Sequence, residues 1–225
     1  MRLLKRKPRS FDVQVHDVLL RITVSPDLEE ESRAAALSFW EQIQSWSLQH
    51  PEFRTSKSVL QVPQGAPDIV REMVGSAAAA GVGPTFTVKG ALADLVGRFL
   101  ATQVPELTVA VDGSFFIVTR KRMKLTVHRP DSGSPLSIVV DPRREGVGVA
   151  TTLGARRAPG ADGWAVLATS TMLAEAATAG LQALLPKPDG FRSALAYLQK
   201  VPGVLGGLVV SGERIGVAGG VEIAA

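Results

Sequence analysis

The order of strand-like and helix-like segments constrains the fold of this chain more than any other feature of its sequence. Residues 11–24 show partial alternation of apolar and polar residues, and a segment with apolar residues at helical spacing follows to about residue 50. Two more helical segments, six short apolar runs, two further helical segments and two closing runs complete the chain. This order predicts the α+β class with mainly antiparallel sheets.

Turn and capping residues set the predicted boundaries. The first hairpin turns at His16-Asp17, and the polar, proline-containing segment 53–67 is predicted as an irregular loop. Helices are predicted over 25–50, 67–80, 89–100, 170–185 and 191–198. The runs at 107–111, 115–118, 125–127, 136–140 and 147–151 predict an antiparallel meander, and strands are expected at 164–168, 205–210 and 215–217.

The chain is long and apolar enough to bury a large core without a metal or a disulfide. It has 225 residues, of which 45% are hydrophobic, and it contains no cysteine. Thiolate nucleophiles, iron–sulfur clusters and cysteine-based zinc sites are therefore excluded. Because no low-complexity linker divides the sequence, we predict a single domain over residues 1–225, with residues 1–10 as a basic, flexible arm.

Location and macromolecular partners follow from the apolar runs and the charges. No run of about 18 apolar residues occurs, and the first residues are not followed by the apolar stretch of a secretory signal. We therefore expect a cytoplasmic protein with no membrane partner. The net charge is +4, with basic clusters in the N-terminal arm and at 120–124. Such clusters can bind phosphates, but solvated surface is the favoured interpretation because no aromatic platform accompanies them, and nucleic acid is not expected as a partner.

The segment 77–90 is the most unusual part of the sequence. Gly83 and Pro84 impose a tight backbone with few side chains ahead of a predicted helix that carries Thr87, Lys89 and Gly90 near its start. Free amide groups at a helix N-terminus favour an anion, and Lys89 adds a positive charge, so a nucleotide phosphate would fit. The alternative is a helix–loop–helix packing turn, in which the glycines allow close backbone contact.

Two other segments are candidates for ligand binding. Thr151 and Thr152, with Gly154 after them, place hydroxyl groups at a predicted strand end, although turn formation explains this pattern equally well. Glu175 and Thr178 are three residues apart on a predicted helix, so both oxygens face one side and could bind a hard cation such as magnesium.

The histidines offer no comparable pattern. His16, His50 and His128 do not have metal-ligand spacing. A triad of Asp112, Ser114 and His128 has no nucleophile-elbow motif to support it and is rejected.

At these same segments the chain resembles the ApbE-related proteins, in particular a small, uncharacterised cytoplasmic branch of that superfamily. The resemblance extends from about residue 11 to the end. Its most specific part is Ala80-Gly81-Val82-Gly83-Pro84 continuing into 88–94. The other matching segments are 50–53, 66–70, 148–152, 161–162, 173–179 and 203–210.

The resemblance implies an ApbE-like, T-fold-related arrangement of two strand-and-helix modules. It implies that the segment from Gly83 to Gly90 and the segment from Thr151 to Gly154 line a pocket for FAD or FMN. It also implies that Glu175 and Thr178 hold magnesium. The chain departs from the family pattern at Glu175, where an aspartate four residues before the threonine is usual, at Asp112-Gly113-Ser114 and at Arg156-Arg157. These departures concern catalysis more than binding.

Three functional hypotheses follow. The first is an ApbE-like protein that binds a flavin or a related small-molecule nucleotide together with magnesium. The second is a catalytically inactive scaffold or a homo-oligomeric interaction protein, in which the glycine- and alanine-rich segments serve close packing. The third is an active FMN transferase, which requires Glu175 in place of the usual aspartate.

Overall fold

The computed structural model describes residues 8–62, 64–127, 136–152 and 159–224. Within these ranges the helices are α1 (Glu29–Gln49), α2 (Pro51–Thr55), α3 (Asp68–Ala79), α4 (Val88–Ala101), α5 (Thr171–Leu184) and α6 (Gly190–Lys200), and a short 3-10 helix (Pro84–Thr87) leads into α4. The strands are β1 (Arg9–Val15), β2 (Val18–Val24), β3 (Leu107–Val111), β4 (Ser114–Thr119), β5 (Met123–Val127), β6 (Leu136–Val140), β7 (Arg143–Thr151), β8 (Gly163–Ala168), β9 (Val204–Ser211), β10 (Arg214–Gly219) and β11 (Glu222–Ala224).

Eight strands form one antiparallel sheet in the order β1-β2-β3-β4-β7-β8-β9-β10. Two tight hairpin turns shape its first half. His16, between β1 and β2, has a φ of 51°, and Asp112 and Gly113, between β3 and β4, have φ values of 53° and 98°. Positive φ at both central residues matches the right-handed twist of the strands, which explains the Asp-Gly pair at the second turn.

The large sheet is covered differently on its two faces. Buried side chains of β1 to β4 pack against α1 and α4, and those of β8 and β9 pack against α5 and α6. Strands β5, β6 and β11 form a small antiparallel sheet, which covers the opposite face of the large sheet at β4, β7, β8 and β9. Val127, Ile138 and Val140 of this small sheet belong to one buried cluster with residues of β4, β7, β8 and β9.

The α+β class with mainly antiparallel sheets is confirmed, but the predicted meander is wrong. β4 pairs with β7 rather than with β5, because the β5–β6 hairpin leaves the large sheet and folds over its face. The predicted loop over 53–67 is also wrong at its start, since Phe53 lies in α2 and is 2% exposed. Alternation identifies a strand but not the strand with which it pairs.

Residues 9 and 10 of the predicted arm belong to β1, and residues 1–7 lie outside the described ranges. The extent of the single domain stays a prediction. Among the described residues, no helix combines the length and the hydropathy that crossing a bilayer requires.

Candidate functional site

The N-terminal ends of α4 and α5 meet against β7, and glycines make this contact possible. A Cβ atom at Gly90 would lie 2.6 Å from the carbonyl oxygen of Thr171, and one at Gly148 would lie 2.1 Å from the Thr171 nitrogen. Real Cβ atoms do not approach backbone this closely, so any side chain at either position would push the elements apart. The glycines therefore serve close packing at the point where two helices begin.

Each of the two helices caps the other with a carboxylate. Asp94 of α4 accepts hydrogen bonds from the amides of Thr171 (2.8 Å) and Met172 (2.9 Å), in the first turn of α5. Glu175 of α5 accepts one from the Gly90 amide (2.7 Å), in the first turn of α4. Free amides and the positive dipole end at a helix N-terminus stabilise a negative group. The anion that sequence reasoning places at the start of α4 is thus, in this structure, a side chain of the protein.

Burial shifts the protonation of both carboxylates. It raises the pKa of Glu175 from 4.5 to about 7, while the hydrogen bonds from Ser114 and Gly90 and the charge of Lys89 act in the opposite direction. Burial likewise raises the pKa of Asp94 against the hydrogen bonds from Met172 and Thr171. Carboxylates with such shifts are more frequent at functional sites than elsewhere in proteins.

Glu175 lies in a cleft of about 320 Å³ at the ends of β3, β4 and β7. The cleft is lined by Asp17, Val18, Trp40, Thr85, Phe86, Val88, Lys89, Asp112, Ser114, Ala150, Thr151, Trp164, Glu175, Thr178, Ala179 and Gln182. Ser114 donates a hydrogen bond to Glu175 (2.6 Å), and Lys89 forms an ion pair with Asp112. Aromatic rings and charged groups therefore share one concave surface, as in many small-molecule sites.

Four of the residues predicted from the sequence line this cleft, namely Lys89, Thr151, Glu175 and Thr178. Gly90 lies beside it, and its amide is bonded to Glu175. Thr151 is held at the cleft by its amide, which donates to the Gly113 carbonyl (2.9 Å). Segments more than 20 residues apart in sequence thus meet at one place.

Gly83, Pro84 and Thr87, also predicted to contact a ligand, are not among the described residues that line the cleft. The Gly83 amide donates to the Lys57 carbonyl (2.9 Å), and a Cβ atom there would lie 2.0 Å from the Ser56 oxygen. Pro84 is buried, and the Thr87 hydroxyl donates to its carbonyl (2.8 Å). Their polar groups are already satisfied within the protein, so contact with a ligand at these residues stays a prediction.

In the second predicted segment, from Thr151 to Gly154, Thr151 lines the cleft and Thr152 does not. Thr152 is buried, where its hydroxyl accepts from the Trp164 amide (2.9 Å) and donates to the Trp164 carbonyl (3.2 Å). Gly154, His128, Arg156 and Arg157 lie outside the described residues.

Among the described residues, two buried polar atoms of the cleft have no hydrogen-bond partner, the Thr178 Oγ1 and the Trp164 Nε1. Such orphaned groups are rare in native proteins. The described residues contain no group of three His, Cys, Asp or Glu side chains that could hold a metal ion. The donors present, a carboxylate and a hydroxyl, fit a magnesium ion that keeps water and takes phosphate oxygens from a ligand, and they do not form a complete protein cage.

Sequence reasoning missed several residues of this arrangement. Asp94 was not singled out, because one aspartate in an apolar helix gives no signal until its partner helix is known. From the sequence, Ser114 enters only the rejected triad and a departure from the family pattern, whereas in the structure its hydroxyl donates to Glu175. Trp40 and Trp164 line the cleft, whereas their apolar sequence surroundings predict core residues. The Asp112-Gly113 pair was the one available signal, since it marks a tight turn.

The fold is that of an ApbE-like protein. The chain is similar to the flavin transferase ApbE from Vibrio cholerae, with a TM-score of 0.63 at 12% identity over 94% of this chain and 97% of the other. It is also similar to the apo form of the flavinyl transferase ApbE from Pseudomonas stutzeri, with a TM-score of 0.60 at 15% identity over 97% and 96% of the two chains. At these identities the likeness shows the fold alone.

The particular family is shown by sequence. The family model described as AbpE bacteria matches residues 1–189, so the chain belongs to this family. A UPF0280 protein of Methanopyrus kandleri is 29% identical over 92% of this chain and 88% of its own length. Another, from Methanosarcina barkeri, is 25% identical over 95% and 89% of the two chains.

Proposed function

We propose that the cleft around Glu175 binds a flavin nucleotide or a closely related nucleotide. The observation that carries this proposal is the convergence of Lys89, Thr151, Glu175 and Thr178 with aromatic walls in one cleft. The Lys89 ammonium group pairs with Asp112 and has further donors that can reach a phosphate, and Trp40 and Phe86 offer apolar surface to a planar ring. The solved ApbE structures of the same fold are flavin transferases, which favours a flavin among nucleotides.

Glu175 and Thr178 are the residues that would hold magnesium in this site. Magnesium bound there would neutralise charge on the ligand phosphate. Ser114 and the Gly90 amide orient the Glu175 carboxylate from the protein side, as outer-sphere hydrogen bonds do at metal sites. Within the described parts of the chain the Thr178 Oγ1 has no hydrogen-bond partner, and a cation or a phosphate oxygen beside it would supply one.

Thermal unfolding with FAD, FMN or ATP, each with and without magnesium, tests the proposal. A ligand that binds only the folded state must raise the unfolding midpoint. We expect the largest rise with a flavin nucleotide plus magnesium and a smaller rise in Lys89→Ala. Lys187→Ala, which removes an exposed lysine outside the cleft, is the matched control. No shift with any nucleotide would instead support the inactive scaffold or interaction protein.

A second candidate function is transfer of FMN from bound FAD to an acceptor hydroxyl. The Glu175 carboxylate favours it, because a carboxylate lies in the same cleft as Lys89 despite the departure from the usual aspartate. Glu175→Gln should then abolish turnover and leave the protein folded, measured as AMP release from FAD. Turnover in Glu175→Gln equal to that of the unmodified protein would exclude this role for the carboxylate.

A further inference from the structure

A second, larger cleft lies at the opposite end of β4 and β7. Its volume is about 870 Å³, and its lining includes Val104 and Val118, which are 4% and 6% exposed, together with Pro105 and Pro142. Helix α4 connects the two clefts, since Lys89 lines the first and Ala101 the second. Fourteen helical residues span about 20 Å, so the two sites are separate.

Three exposed arginines line this second cleft, Arg120, Arg143 and Arg144. Within the described parts of the chain none of their guanidinium groups has an ion pair or a hydrogen bond. Arg122 nearby differs, because it pairs with Asp141 (3.0 Å) and with Glu222. The positive charge of the cleft therefore comes from three side chains that remain available to a ligand.

A β-bulge brings these arginines together. The pairing of β4 with β7 shifts between Ile117 and Thr119, so that Val147 lies opposite Ile117 whereas Arg143 lies opposite Thr119. The extra β7 residues include Gly146, whose φ of 83° suits glycine. Bulges redirect side chains, and this one directs Arg143 and Arg144 to the same cleft as Arg120.

The loop that carries Arg120 is ordered by its own hydrogen bonds. The Arg120 amide donates to the Glu106 carboxylate (3.1 Å), and the Lys121 amide donates to the Thr119 hydroxyl (3.2 Å). Thr119 in turn donates to the Lys121 carbonyl (2.7 Å). A preorganised loop loses less entropy when a ligand binds.

Opposing charges near the cleft are weaker than the three arginines. Glu145 is exposed and does not line the cleft, and Glu106 is engaged by the Arg120 amide. The C-terminal end of α4 contributes about half a negative charge. The net charge of the described residues that line this cleft is therefore positive.

We propose that this second cleft binds an organic phosphate, a small molecule with phosphate groups and an apolar portion. Guanidinium groups recognise phosphates through paired hydrogen bonds, and the valine and proline walls provide surface for the apolar portion. The volume lies within the range of small-molecule pockets. A nucleic-acid strand is disfavoured, because none of the described residues that line this cleft is aromatic and bases would find no stacking surface on them.

Calorimetric titration with ADP and with inorganic pyrophosphate tests this site, using Lys89→Ala as the parent so that the first cleft is weakened. We expect ADP to bind more tightly than pyrophosphate. Arg143→Ala/Arg144→Ala in this parent should weaken ADP binding at least about tenfold. The control, Arg54→Ala/Arg192→Ala, removes the same charge from exposed positions outside the cleft and should retain the affinity.

Equal ADP affinity in the two double variants, or no ADP binding in the parent, would overturn the proposal. Tighter binding of a single-stranded oligonucleotide than of ADP, lost in the same arginine variant, would overturn the small-molecule assignment. All four substituted arginines are exposed, so unfolding midpoints close to that of the parent are expected for both variants.

Discussion

Glu175 makes the stability of the protein depend on pH in a direction that is unusual for an acid. Its pKa is about 7 in the folded state and 4.5 ordinarily, so the folded protein holds an extra proton between these values. The free energy of unfolding therefore falls as pH rises from 4.5 to about 7. The difference between these two pKa values corresponds to about 3 kcal/mol. This figure is an upper limit, because the carboxylate is only half-buried and faces the cleft, where solvent screens its charge.

Urea unfolding between pH 4.5 and 8 in the presence of EDTA should show this slope, and Glu175→Gln should reduce it. The pKa of Asp94 is also raised, so Asp94 contributes a slope of the same sign in the unmodified protein and in Glu175→Gln. An unchanged slope in Glu175→Gln would contradict the assignment of the proton to Glu175.

Asp94 offers a second test at the scale of single residues. In Asp94→Asn the amide nitrogen would face one of the two backbone amides that the carboxylate now satisfies, leaving a buried donor unpaired. We expect a loss of about 1–3 kcal/mol in the free energy of unfolding. Asp189→Asn is the matched control, since Asp189 precedes α6, is exposed and makes no side-chain cap hydrogen bond. Similar losses in both variants would argue against the capping role.

At the scale of elements, the contact between α4 and α5 predicts opposite effects for two helical glycines. Gly90→Ala places a Cβ atom against Thr171 backbone and should destabilise the protein by about 1–3 kcal/mol. Gly75→Ala in α3 meets nothing within 4 Å and should stabilise by about 0.5–1 kcal/mol. Denaturant titration of both variants measures the difference. Stabilisation by Gly90→Ala would show that the helices can separate without cost.

The elements themselves were predicted more successfully than their pairing. The first hairpin, α1, α3, α4 and α5 follow from local patterns, because turns, caps and periodicity are properties of neighbouring residues. The placement of the β5–β6 hairpin on the face of the large sheet does not follow from them. It depends on the buried cluster that Val127, Ile138 and Val140 form with residues of β4, β7, β8 and β9, which are distant in sequence. β11 has three residues, too few to show alternation.

At the scale of the whole molecule, the cleft exists because distant parts of the chain meet. Lys89, Thr151, Glu175 and Thr178 could be selected from the sequence, because their segments carried glycines, hydroxyls or helical spacing. The Ser114–Glu175 hydrogen bond joins residues 61 positions apart, and the two Asp94 bonds join residues 77 and 78 positions apart. No local pattern encodes such pairs, which is why the network that holds Glu175 was not predicted.

One large sheet joins a first half of the molecule, which contains β1 to β4, to a second half, which contains β7 to β10. This continuity predicts how the molecule unfolds. β4 and β7 pair inside the sheet, and α4 contacts α5, so neither half should unfold alone and a single cooperative transition is expected. Tryptophans report on each half, because Trp40 and Trp46 lie in α1 and Trp164 lies in β8. In Trp164→Phe the remaining tryptophans report on the first half. In Trp40→Phe/Trp46→Phe the remaining tryptophan, Trp164, reports on the second half. When each fluorescence curve in urea is compared with circular dichroism of the same variant, the midpoints should coincide. A fluorescence midpoint that differs from circular dichroism in either variant would mean that residues 1–225 contain two units of folding rather than one.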